Sequence, residues 1–355
     1  MNRGHSFMNP ICSTIIGIGS AGLAAITCLR DLGCSRVEIV ALDTDPEALY
    51  YARAMRKILL NKVWINQSGM CTPPSSMHPA VERDLVRIRD ATRKDLVILV
   101  SGLGGSTGTR LTPILAREAK NQGALVLVFP IMPFHCEKQI TLLRARRGLR
   151  NLTASADTVM PFSNQTLADI RDGRSLASRF KILDSLILQT LQGLLGLLGN
   201  WGRINLDLAD VRAVLSKQRG KTGFIGVCEI SDRNVMPQKV LEVFLNPLRP
   251  INPKNVDAAV ISIACGQTLN LRDINVIIDA VAGEIADDAT IKFGVMNDPC
   301  LQDTIRVAIL GSTLVQKRER KLSPRCPRVY DHDDLVDDKT EHAEDEKSHD
   351  ANFHH

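Results

Sequence analysis

Four near-continuous runs of Val, Ile and Leu dominate the first 130 residues: STIIGIG (13–19), VEIVALD (37–43), DLVILVSG (95–102) and ALVLVFP (124–130). None alternates with polar residues, so each reads as a strand buried on both faces. Helical patterns separate them, AGLAAITCLRDLG ending at Gly33 and a second from Thr112 to Lys120. Buried strands alternating with helices require a parallel sheet covered on both sides. Such sheets bind ligands at the carboxyl ends of their strands. The first and third runs end there in glycine loops.

A long proline-free helical pattern, SLASRFKILDSLILQTLQGLLGLLG (175–199), follows. Beyond it a second αβ region is expected, with strands TGFIGVCEI, AAVISIACG, TIKFGVM and TIRVAILGS and helices near 235–246 and 271–286. After Ser312 the apolar pattern stops, and the charged remainder is expected to be disordered. The expected divisions are 11–175, a central helix 176–203, a second domain 204–315 and a tail 316–355.

Charge is unevenly distributed. Residues 331–355 hold ten acids against two lysines, so the net +5 of the chain conceals +13 on residues 1–330. The basic runs RARRGLR (144–150) and KRER (317–320) are candidate contacts for anions, alongside the reading of a solvated basic face. Aromatic residues are only 4% of the chain, too few for a nucleic-acid binder built on base stacking. Nine scattered cysteines without a CxxC pair read as reduced thiols in a cytoplasmic protein, not as a disulfide framework or zinc site. Arg3 and the apolar stretch 11–29 imitate a secretory signal, but glycines interrupt it at phosphate-loop spacing. The apolar stretch 186–198 is too short to span a bilayer.

Gly17-Ile18-Gly19-Ser20-Ala21-Gly22 is a GxGxxG turn between strand and helix, and Asp43 closes the next strand. Alone this matches a dinucleotide fingerprint, with Asp43 on the ribose. The second loop, Ser101-Gly-Leu-Gly-Gly-Ser-Thr-Gly-Thr-Arg110, changes the reading. Its Gly104, Gly105, Ser106, Thr107, Gly108 and Thr109 offer backbone N–H groups and hydroxyls to phosphate oxygens. Two such loops on one sheet edge fit a nucleoside triphosphate clasped from two sides.

These motifs resemble the FtsZ/tubulin superfamily. GLGGSTGT resembles the GGGTGTG signature of FtsZ, the first loop its GxGGGGGNA, DTDPEAL (43–49) its NTDxxAL, and PFHCE (133–137) its PFxFE. INLDLADVRAVLS (204–216) is similar to the synergy loop NxDFADVR. The likeness runs in order from about Ile11 to about Ser312. It implies a Rossmann-like parallel-sheet GTPase domain, a long central helix, a second α+β domain bearing the synergy loop, and GTP or GDP with Mg2+ as bound groups. It also implies a cytoplasmic, head-to-tail homopolymer, with other subunits of FtsZ type as further candidate partners and no nucleic acid. It implies a role in cell division or a related filament process, while membrane contact stays open, since the tail shows no recognisable adaptor-binding peptide.

By the same resemblance Asp207 and Asp210 would orient the attacking water at a neighbouring subunit's γ-phosphate, with Asn205 positioning the loop. Asp207 or Asp210 could equally serve the helix that starts there, as cap or first-turn acid. Leu23, Ala24, Asp45, Pro133, Thr141 and Asn164 would line the pocket, Glu137 would meet the ribose, and Phe180 would stack on the base. Asp184 stands where the family usually has Asn, and a carboxylate accepts from both guanine N1–H and its 2-amino group. The chain departs from the family elsewhere. Ala24 and Asp43 replace asparagines, Thr141 replaces an arginine, and SGMCTPPSSMHP (68–79) replaces a glycine-rich γ-phosphate loop. Three readings therefore stand: a GTPase that assembles, a filament or scaffold that hydrolyses little, and, from GxGxxG with Asp43 alone, an NAD-dependent oxidoreductase.

Overall fold

The structure is a computed structural model, and it describes residues 11–27, 29, 37–66, 79–169, 175–198, 202–204, 206, 208–216, 222–245 and 251–313. Asn205, Asp207, the 68–78 portion of the expected γ-phosphate loop and the tail 316–355 lie outside them.

The first half comprises β1 (Ser13–Ile18), α1 (Gly19–Thr27), β2 (Val37–Asp43), α2 (Pro46–Tyr51), β3 (Arg56–Leu59), α3 (Val63–Asn66), α4 (Pro79–Thr92), β4 (Leu96–Gly102), α5 (Ser106–Asn121), β5 (Leu125–Met132), α6 (Gln139–Ser155), β6 (Thr158–Val159), β7 (Phe162–Ser163) and α7 (Asn164–Asp169). The central helix α8 (Leu176–Leu198) follows. The second half comprises β8 (Gly202–Ile204), α9 (Leu208–Ser216), β9 (Thr222–Ile230), α10 (Met236–Val240), β10 (Val256–Cys265), α11 (Leu271–Glu284), β11 (Thr290–Asn297) and β12 (Ile305–Thr313).

Strand order is β3-β2-β1-β4-β5-β6-β9-β12-β10-β11-β8. From β3 to β6 every pairing is parallel, as the absence of alternation requires. The second region mixes parallel β10–β11 with antiparallel β12–β9 and β10–β12. Among the described residues, the Val159–Thr222 pair joins the two regions across β6 and β9.

Each sheet face has its own apolar core. Ile15, Ile98, Val100 and Phe129 pack on one side with Leu23 and Ile26 of α1, Leu183, Ile187, Leu191 and Leu194 of α8, and Val211 and Val214 of α9. Ile225, Val260 and Leu310 of the second region join that same cluster, so α8 is buried against both halves. Ile16, Val97, Leu99 and Val126 face the other way, under α4, α5 and α6. The outer face of the second region buries Ile261, Ile263 and Ile309 against Ile274, Ile277 and Val281 of α11.

Two expected helices differ. α5 begins at Ser106 instead of Thr112, because Ser106–Thr109 form its first turn, with Gly108 set against the Gly102 carbonyl. The pattern near 235–246 is broken into a 3-10 turn, α10 and a second 3-10 turn ending at Phe244. No described helix is long and apolar enough to cross a membrane.

Candidate functional site

Both glycine loops lie at the carboxyl edge of the parallel sheet and touch each other. Gly19, at φ +70°, lies so that a Cβ there would be 3.3 Å from the Gly108 nitrogen. Gly104 has φ +104°, and its missing Cβ would meet the Thr141 methyl at 2.6 Å. A side chain on Gly22 would collide with the Val100 carbonyl, and one on Gly108 with the Gly102 carbonyl. Helices α1 and α5 can therefore start hard against the strand ends only as glycine, which aims their first-turn N–H groups at one volume.

Gly105 is the N-cap of α5, and no side chain caps that end. A Cβ on Gly105 would meet nothing within 4 Å. The open volume before α5 is thus bounded by unclaimed first-turn N–H groups and the exposed Ser106. Two threonines shape the loop. Thr109 Oγ1 accepts from the Gly104 N–H at 2.9 Å, and Thr107 Oγ1 lies 3.4 Å from Thr44 Oγ1.

Asp43 is only 3% exposed, with Oδ1 accepting from the Thr44 N–H at 2.7 Å and the Asp45 N–H at 3.2 Å. Burial raises its pKa, against the lowering effect of these bonds and of Thr107. Its carboxylate thus braces the strand end from behind, while Asp45 caps α2 by accepting from Glu47 N–H. Of the first-loop residues, Ser20 and Ala24 are exposed, as is Ala21, and Leu23 is core.

The loop after β5 forms the second wall. Pro133 is buried, and Glu137 Oε1 accepts from the Phe134 N–H at 2.9 Å. Phe134 meets Phe180 of α8 edge-on at 6.1 Å. Phe180 is 37% exposed, so it is a rim residue and not core. One turn on, Asp184 is half-buried, and desolvation raises its pKa. Asn164, at the start of α7, buries an Oδ1 that has no hydrogen-bond partner. An orphaned buried acceptor is what a bound heterocycle or ribose with N–H or O–H donors would satisfy. Among the described residues no group of three His, Cys, Asp or Glu side chains gathers. Mg2+ would fit here chiefly through substrate phosphates and water, its usual ligands in nucleotide sites.

Asp210 lies elsewhere. It is in the first turn of α9 and forms an ion pair with Lys292 of β11 at 3.5 Å. From α9, Arg212 Nη2 donates to the Gly123 carbonyl at 2.9 Å. Gly123 precedes β5, at the amino edge of the sheet, whereas the glycine loops lie at its carboxyl edge. The eight residues of β5 separate those edges by about 26 Å. The structure thus assembles all the loop residues together and leaves Asp210 at the opposite end. Sequence reasoning did not anticipate Thr44 or Phe134. Thr44 sits inside the DTDPEAL motif and Phe134 inside PFHCE, so both carried a signal of position but none of contact.

The fold and site define a Rossmann-like nucleotide-binding α/β protein with a second sheet domain behind a central helix. Residues 13–172 match the Tubulin/FtsZ family, GTPase domain, and residues 222–314 the FtsZ family, C-terminal domain. Cell division protein FtsZ 1 of Archaeoglobus fulgidus is 30% identical over 297 residues, 83% of this chain and 80% of that protein. FtsZ of Methanothermobacter thermautotrophicus is 31% identical over 83% of this chain and 77% of its own length. An empty FtsZ dimer of M. jannaschii superposes with TM-score 0.73 at 29% identity, covering 88% of this chain and 90% of that one. CetZ2 of Haloferax volcanii, in a GTPγS-bound protofilament, shares the fold at TM-score 0.66 and 20% identity, over 84% of this chain and 92% of its own. The chain belongs to the FtsZ family.

Proposed function

We propose that this protein binds GTP between its two glycine loops and the Phe134–Phe180 wall, and hydrolyses it where a second copy stacks on that face. The observation that carries this reading is the separation of Asp210 from the loops by the length of the sheet. A carboxylate at one end of the molecule cannot reach a phosphate at the other. In a head-to-tail stack it would reach the next subunit's phosphate, and such an interface propagates into a filament. Residues 11–175 would then hold the nucleotide, and 204–315 would supply the synergy loop, with Asn205 and Asp207 beside Asp210. Phosphoryl transfer depends mainly on positioning and charge stabilisation, which two subunits can share. Mg2+ bound with the nucleotide would neutralise charge on its phosphates.

GTP is expected to drive assembly, read by sedimentation, together with phosphate release. Asp210→Ala should keep GTP binding, lower stability by no more than about 1 kcal/mol through its partly exposed ion pair, and slow release by about a hundredfold or more. Unchanged release in that variant would refute the catalytic role.

A second reading has its own observation. Thr141, at the position where the resemblance implies an arginine, packs against Gly104 and brings no charge to the phosphates. A nucleotide-stabilised filament with slow turnover fits that loss. GTP-dependent filaments whose phosphate release is no faster than that of GTP in buffer would select it.

A further inference from the structure

Helix α6 has two chemically distinct faces. Inward, Ala145, Gly148 and Leu152 are buried, and Thr141 rests on Gly104. Outward, Ile140 and Leu143 are 51% and 50% exposed, and Arg144, Arg146, Arg147 and Arg150 are all exposed. At about 100° per residue, Ile140, Leu143, Arg147 and Arg150 form one stripe, with Arg144 and Arg146 flanking it. Residues 139–155 include no acid. Elsewhere arginines find carboxylates: Arg56 with Asp90, Arg89 with Glu118, Arg233 with Asp273, Arg306 with Glu229. Among the described residues the four guanidiniums of α6 form no ion pair.

We infer that the outer face of α6 docks on an anionic lipid surface, its arginines on headgroup phosphates and Ile140 and Leu143 at the acyl boundary. Basic amphipathic helices with protruding aliphatic groups bind membranes in this way. The chemistry separates lipid from other polyanions. A nucleic-acid backbone rewards the arginines alone and leaves two half-exposed aliphatics without a role, and no aromatic side chain on this face could stack on a base. The arginines also spread over nearly half the helix circumference. That suits a broad, fluid array of phosphates better than one acidic partner helix. The inference stands on α6 alone and does not rest on GTP hydrolysis.

The test uses the full chain without nucleotide, sedimented with vesicles of phosphatidylcholine alone or of equal parts phosphatidylcholine and phosphatidylglycerol. Binding is expected to the anionic vesicles only, weakening with salt. Arg147→Gln with Arg150→Gln should weaken it about thirtyfold, at about fivefold per arginine near an anionic surface. Ile140→Ser with Leu143→Ser, arginines intact, should weaken it at least about tenfold. The arginine variant should melt as the parent does, and the serine variant, whose aliphatics are half-exposed, should melt a few degrees lower while staying folded at the assay temperature. No binding by the parent overturns the inference. So does an undiminished serine variant, which would mark a general polyanion site. Loss of vesicle binding and GTP-driven assembly together in both variants would instead make this face an interface between copies.

Discussion

Gly105 caps α5 with φ −77° and ψ 170°, a conformation open to any residue, and its Cβ position faces empty space. Aspartate there would cap the helix at a gain of a few tenths of a kcal/mol over glycine. The same carboxylate would stand among the N–H groups meant for phosphate. At ~5 Å and an effective dielectric constant of ~20, each unit of like charge costs about 3 kcal/mol. Gly105→Asp is therefore expected to keep or slightly raise the melting temperature while weakening GTP by about a hundredfold or more, read by calorimetry and nucleotide titration. Gly104→Ala should do the reverse in stability, losing about 1–3 kcal/mol from strained backbone and the Thr141 collision. If Gly105→Asp unfolded the protein, the position would serve the fold and not a ligand. Glycine spacing made both loops legible, because only glycine meets a positive φ or a backbone contact. The direction of Asp43 was not legible: spacing put it at a strand end, while its carboxylate turns inward to Thr44 and Asp45.

At the level of elements, the buried strands were legible nearly to the residue, since a run such as VEIVALD can satisfy its burial only between two helical layers. The start of α5 was not, because Ser-Thr-Gly-Thr reads as loop in isolation and becomes helix only when Gly108 packs beneath the Gly102 carbonyl. Helices α4 and α6 escaped notice because their outer faces are charged and only a thin stripe of each is apolar. On α8 the pattern was plain, and Asp184 is the charged residue set against it. Asp184 sits half-buried in a leucine-rich helix, with its carboxyl pKa raised by desolvation. A raised carboxyl pKa favours the folded state while the group is protonated, below its unfolded value near 3.8, and that contribution is lost as pH rises through the folded value. Asp184→Asn should accordingly raise the melting temperature at pH 7, with the gain shrinking as pH falls toward 3.8. Guanine donors would stabilise the ionised carboxylate, so GTP affinity of the parent should drop on acidification through the same range. The Asn variant should show a flat profile there, and a parallel drop in both would move the pH effect to another group.

For the whole molecule the question is whether the two ends of one chain act on each other or on different copies. Two variants, each inactive for a different reason, decide it when mixed. Gly105→Asp leaves Asp210 in place but repels nucleotide, and Asp210→Ala holds nucleotide but lacks the carboxylate. If one chain completed its own site, a mixture would be as inactive as either variant. If the site forms between copies, a Gly105→Asp subunit can stack its Asp210 end on the nucleotide of an Asp210→Ala subunit, and phosphate release returns. The same geometry fixes what assembly must look like. The loop face of every Gly105→Asp subunit lacks nucleotide, so each one ends its stack. Increasing its share should shorten filaments while release first rises and then falls, passing through a maximum at intermediate mixing. Long filaments at every mixing ratio would mean that Gly105→Asp subunits do not enter the stacks. No release at any mixing ratio, with Gly105→Asp subunits still shortening the filaments, would point to sites completed within single chains.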